Sequence, residues 1–124
     1  MNLTIIFLLL FTHWVADFIF QTHWQATNKS KNNMALAAHV GTYTLIWLLF
    51  LYGYVIGNQM TFTPMMFLFI PITFVAHFCT DYVTSRITSY LYKKEDFHNF
   101  FVVIGFDQLL HYLQIFLTFS WLFL

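Results

Sequence analysis

Four long apolar runs make up most of this chain, and each is interrupted by residues that lipid rejects. In the first, Ile5, Ile6 and Leu8 to Leu10 lead into "FTHWVADFIFQ", which sets His13 and Asp17 four residues apart among Phe and Ile. A run of this length crosses about 30 Å of hydrocarbon as a helix at about 1.5 Å per residue. An open sheet would leave backbone N–H and C=O groups unpaired in lipid, so the runs are expected to be helices. An ionised Asp at the centre of such a helix costs about 2.5–3.5 kcal/mol to insert, so each polar pair is expected to face other helices.

Composition agrees. Of 124 residues, 60% are hydrophobic and only 8% charged, against about a quarter in soluble domains. Seventeen Phe, seven Tyr and four Trp leave too little polar surface to coat a soluble globule. The expected class is all-α, a single integral-membrane four-helix bundle over residues 1–124. Its spans fall at about 3–21, 35–54, 62–85 and 98–124. Pro64 is expected in the first turn of the third helix, and Pro71 inside that helix, where it should kink it.

A net charge of zero gives no electrostatic case for nucleic acid, so membrane lipids are the expected partners, with a homo-oligomer compatible with the pattern. The single Cys79 rules out an intrachain disulfide. No Lys or Arg precedes the first apolar run and no small-x-small site precedes His13, so the first run is expected to stay in the mature protein.

All five basic residues fall on one side of the four-span arrangement: Lys29 and Lys31 in one connection, Arg86, Lys93 and Lys94 in another. The positive-inside rule places that side in the cytoplasm and both termini outside it, in a bacterial inner membrane. Trp24, Tyr90 and Tyr92 at the inner boundary, and Tyr52, Tyr54 and Trp121 at the outer one, fit aromatic belts.

The polar residues within the spans form a pattern. "HFCTDY" repeats the i, i+4 spacing with His77 and Asp81, and "DQLLH" carries Asp107 and His111 in reversed order. "HVGTY" adds His39 and Tyr43. Residues four apart lie on one helix face, so each helix offers one polar stripe. Counted from the cytoplasmic ends, these stripes lie at similar depth and imply one shared site.

Neutral His nitrogens with Asp oxygens suit a divalent metal, Zn²⁺ first and Mn²⁺ or Fe²⁺ next. The expected ligands are His13, Asp17, His39, His77, Asp81, Asp107 and His111, too many for one four-coordinate ion. Either two metals bind, or some Asp residues orient ligating histidines. Asp17, Asp81 and Asp107 are the candidates for catalytic general base. Gln21, Tyr43, Gln108 and Gln114 are candidates for supporting the ligands or contacting substrate. Cys79 points to a different face and reads as a core residue, and His23 and His98 read as solvated. Two rival readings use the same residues: a proton or divalent-cation pathway, and a purely structural polar network.

"HWVADF" and "HFCTDY" share His-x-x-x-Asp-aromatic, each followed by a basic connection and a returning helix with a histidine. Two parallel helical hairpins about a pseudo-two-fold axis would produce this pattern, although Ala35 stands where the second half has Asp107.

These motifs resemble a family of small bacterial and phage membrane proteins classed as a domain of unknown function. The shared pattern is His13, Asp17, Phe18 and Gln21, then Lys29 or Lys31 with His39, then His77, Asp81 and Tyr82, and finally Asp107, Gln108 and His111. It covers nearly the whole chain and implies a common fold and site without a settled activity. More remotely, the His-x-x-x-Asp helices resemble bacterial inner-membrane proteins labelled metal-dependent hydrolases, which implies metal-dependent hydrolysis. The depth of the site alone suggests a lipid-like ester or phosphoester as substrate.

Overall fold

The computed structural model describes all 124 residues, and every regular element is helical. Helix α1 (Leu3–Trp14) runs into a π-helical segment (Val15–Ile19), followed by the short α2 (His23–Asn28). Then come α3 (Asn33–Gly57), a 3₁₀ turn (Met66–Leu68), α4 (Phe69–Lys93) and α5 (Phe97–Phe123).

The starts follow from capping side chains. Asn2 accepts from the Ile5 amide at 2.9 Å, Asn32 from Met34 at 2.8 Å, and Asp96 from Asn99 at 3.2 Å. Thr22 and Gln25 form a reciprocal capping box that starts α2. That new start explains why the first apolar helix stops at Ile19 rather than continuing to Gln21. The α3 and α4 ends turn through Gln59 (φ 54°) and Glu95 (φ 59°), left-handed positions that glycine usually fills.

Three helical stretches are long and apolar enough to cross a membrane: Asn33–Gly57, Met66–Lys93 and Phe97–Phe123. Leu3–Ile19 is apolar but shorter, so the expectation of four full spans is met by three. The prolines also differ from expectation. Pro64 lies in the turn before Met66, and Pro71 is the third residue of α4, where its missing N–H needs no intrahelical partner. Pro71 therefore sits in a helix start, not in a helix interior.

Helix α4 packs against both α3 and α5, while α1 touches α3 and α5. Residues 94–96 alone join α4 to α5, which makes these two antiparallel neighbours. Away from the basic connections, Leu9, Tyr43, Trp47, Phe69, Ile115 and Phe119 form the apolar core. Trp47 stands against Phe69 at 5.5 Å between ring centroids, and Tyr54 against Phe119 at 5.2 Å. Cys79 does face away from His77 and Asp81, but it is exposed on the outer surface rather than buried in the core. His23 and His98 are exposed, as expected.

Candidate metal centre

The i, i+4 stripes of the helices do converge. Asp17, His39, His77 and Asp81 come from the π-helical segment, α3 and α4, all four buried, and their ligating atoms lie within 4.8 Å of one another. The π-helical segment is part of the reason. The Phe20 amide reaches back five residues to the Val15 carbonyl at 3.0 Å, and this widened turn carries Asp17.

The separations are those of ligands around one ion. His39 Nε2 lies 3.2 Å from His77 Nε2, 3.1 Å from Asp17 Oδ1 and 3.3 Å from Asp81 Oδ2. His77 Nε2 lies 3.5 Å from Asp17 Oδ1 and 3.6 Å from Asp81 Oδ1. A tetrahedral ion with bonds of about 2.0–2.1 Å places its ligands roughly 3.3 Å apart. Asp17 Oδ1 makes no aligned hydrogen bond despite these short distances, while His39 Nε2 and His77 Nε2 are placed to hydrogen-bond each other.

Asp81 also belongs to a second group, with Asp107 and His111. His111 Nε2 lies 3.0 Å from Asp81 Oδ1 and 3.4 Å from Asp107 Oδ1. The Asp17 and Asp81 side chains are almost wholly enclosed and that of Asp107 is 15% exposed, but all three border one cavity of about 630 Å³. Both groups therefore adjoin open space, as metal sites with a free coordination position do.

The supporting contacts sort the remaining candidates. His13 is fully buried, but its Nδ1 pairs with Tyr43 Oη and its Nε2 with Gln108 Oε1, both at 2.9 Å. Both ring nitrogens are thus taken, and His13 joins neither group of potential ligands, contrary to its expected role as a ligand. Gln108 donates in turn to Asp17 Oδ2 and Asp107 Oδ2, both at 3.1 Å, and so ties the two groups together. The Tyr43 ring stacks on His77 at 3.8 Å between centroids, and His77 stacks on His111 at 4.1 Å. Nδ1 of His39, His77 and His111 has no hydrogen-bond partner, so no outer hydrogen bond orients these rings. Gln21 lines the cavity. Gln114 instead donates to Thr80 at 2.6 Å and lines a separate, much smaller cavity together with Tyr43 and His77.

Two contacts were not foreseen. Thr84 donates to Asp107 Oδ1 at 2.5 Å. Lys29 reaches in from the α2–α3 connection, with Nζ 2.8 Å from Asp81 Oδ2 and 3.5 Å from His39 Nε2. Lys31 is exposed, so of the two lysines in the shared pattern the structure selects Lys29. Burial works against the Lys29 charge, but Asp81 and then Asp17 more than offset it and raise its pKa above the ordinary 10.5. Three carboxylates facing one ammonium leave two negative charges when the imidazoles are neutral, which a divalent cation would balance. The arrangement could therefore hold a metal ion.

Residues 5–124 match the family model described as a protein of unknown function, DUF3307. The chain belongs to the DUF3307 family. No curated protein and no solved structure matches it. Membership covers all the residues described above and brings no activity with it, so the reading of the site rests on its geometry.

Proposed function

We propose that the chain is a metal-dependent hydrolase of the bacterial inner membrane, acting on a lipid-like ester or phosphoester. The observation that carries this reading is the convergence of His39 Nε2, His77 Nε2, Asp17 and Asp81 at ligand-to-ligand distances, beside an open cavity. Zinc is the preferred ion, because imidazole and carboxylate donors at these spacings suit a tetrahedral site.

In this reading Asp107, at the cavity edge, is the general base. It takes a proton from water as the water oxygen bonds to the carbonyl carbon or phosphorus, and the ester bond to the leaving alcohol breaks. The alcohol oxygen leaves with a proton, so water is divided between the two products. Lys29, Lys31, Arg86, Lys93 and Lys94 would mark the cytoplasmic end, which sets the cavity in the inner leaflet.

Transport is less well supported. A route across the membrane would have to pass the buried layer of Tyr43, Trp47, Phe69 and Phe119.

The test is elemental analysis of detergent-purified protein, with ester and phosphoester hydrolysis assayed in parallel. Stoichiometric zinc, lost together with hydrolysis in His77→Ala, is the expected result. Folded protein that binds no transition metal would leave a structural polar network as the better account.

A further inference from the structure

The cavity beside Asp107 has a mixed lining. It carries hydroxyls, from Ser30 in the α2–α3 connection and Ser85, Thr88 and Ser89 on α4. It also carries apolar side chains, from Phe18 after α1 and Phe100 and Ile104 on α5. Lys29 and Lys31 line the same space. Two lining groups, Ser85 Oγ and Gln21 Oε1, are buried without any hydrogen-bond partner, although such groups are normally paired.

The apolar part of the lining leads outward, because Phe18 is 48% exposed on the outer surface. A ligand fitting this mixed lining has an anionic, oxygen-rich head and an apolar chain. Ammonium and hydroxyl donors suit phosphoryl oxygens, and a chain leaving past Phe18 would run into lipid.

We infer that the cavity takes a phosphoester borne on an apolar chain, with its phosphoryl group against Lys29 and the Ser85 hydroxyl and its chain between Phe18 and Phe100. This rests on the metal reading above, because Asp17, Asp81 and Asp107 would repel an anion unless a cation neutralises them.

The experiment measures binding of hexadecyl phosphate, hexadecanol and inorganic phosphate to the full chain, zinc-loaded in detergent, by calorimetry. Zinc content is determined on the same samples. Hexadecyl phosphate is expected to bind at least tenfold more tightly than either of the other two. Lys29→Gln should remove most of that preference, and Lys29→Arg, which keeps the charge, should retain it. Equal binding of hexadecanol would overturn the phosphoryl assignment, and equal binding of inorganic phosphate would overturn the chain path. Zinc-replete protein with no preference sinks this inference alone. Protein that takes up no zinc sinks the metal reading and this inference together.

Discussion

His39 Nε2 and His77 Nε2 face each other at 3.2 Å across the α3–α4 interface. One ring can donate to the other at this distance only while its Nε2 carries a proton, and a cation bound by both lone pairs would replace that hydrogen bond. Zinc addition to metal-stripped protein should therefore raise the melting temperature in detergent, and His77→Ala should abolish the rise. Acidification should release the metal, since protons compete for the same imidazole nitrogens. Dialysis at several pH values followed by elemental analysis checks both the uptake and the sign.

Asp81 has more charged and imidazole partners than any other carboxylate in the site: Lys29 at 2.8 Å, His111 at 3.0 Å and His39 at 3.3 Å. Removing one side of a buried ion pair leaves the other uncompensated, at about 3–5 kcal/mol. Asp81→Ala should lose that much, whereas Asp107→Ala should lose less because its side chain is partly open to the cavity. Thermal unfolding of the two variants side by side measures the difference.

Tyr43 touches the site twice, through its hydroxyl on His13 and its ring on His77. Tyr43→Phe keeps the ring and leaves His13 Nδ1 unpaired, which should cost about 1–3 kcal/mol with zinc content unchanged. Gln114→Leu, whose side chain bonds Thr80 and none of the donor groups, should also leave zinc content unchanged. A loss of zinc in that variant would show that the donor set extends beyond the two groups described.

Asp96 gives a dependence on pH away from the membrane. Its carboxylate accepts from the Asn99 side chain at 2.7 Å and the Asn99 backbone amide at 3.2 Å, which hold its pKa below the ordinary 3.8. A depressed carboxylate stabilises the folded state above its unfolded pKa, and the effect is lost as pH falls through the lower folded value. Asp96→Asn retains a capping residue and should remove that part of the acid sensitivity. Melting curves of both proteins from about pH 5 to about pH 3 test it.

Much of the site was legible in the residues because helical spacing is a strong constraint. The pairs His13/Asp17, His77/Asp81 and Asp107/His111 share faces by arithmetic, and lipid leaves those faces only one direction to turn. Depth, counted from the basic ends, brought His39 to the same level. What spacing could not show was how contacts divide within the cluster. His13 has the same relation to Asp17 as His77 has to Asp81, but Gln108 and Tyr43 occupy its nitrogens.

Lys29 was visible only as one of two loop charges, because the path of a connection follows no period. Three carboxylates on apolar runs without a counter-charge of their own were the signal that could have drawn it in. Pro71 was misplaced because α4 begins its regular turns later than the hydropathy does. Nothing in the composition of "VADFI" distinguishes a π turn from an α turn, so that segment could be found only in three dimensions.

That segment makes Asp17 sensitive to chain length as well as to residue identity. An α-helix advances about 100° per residue, so deleting Val15 would swing Asp17 by more than a quarter-turn relative to Leu9 and His13. No side chain in the site would have changed, but one of the donors would point elsewhere. In related chains, an insertion or deletion at this point would be a more consequential event than most substitutions within α1.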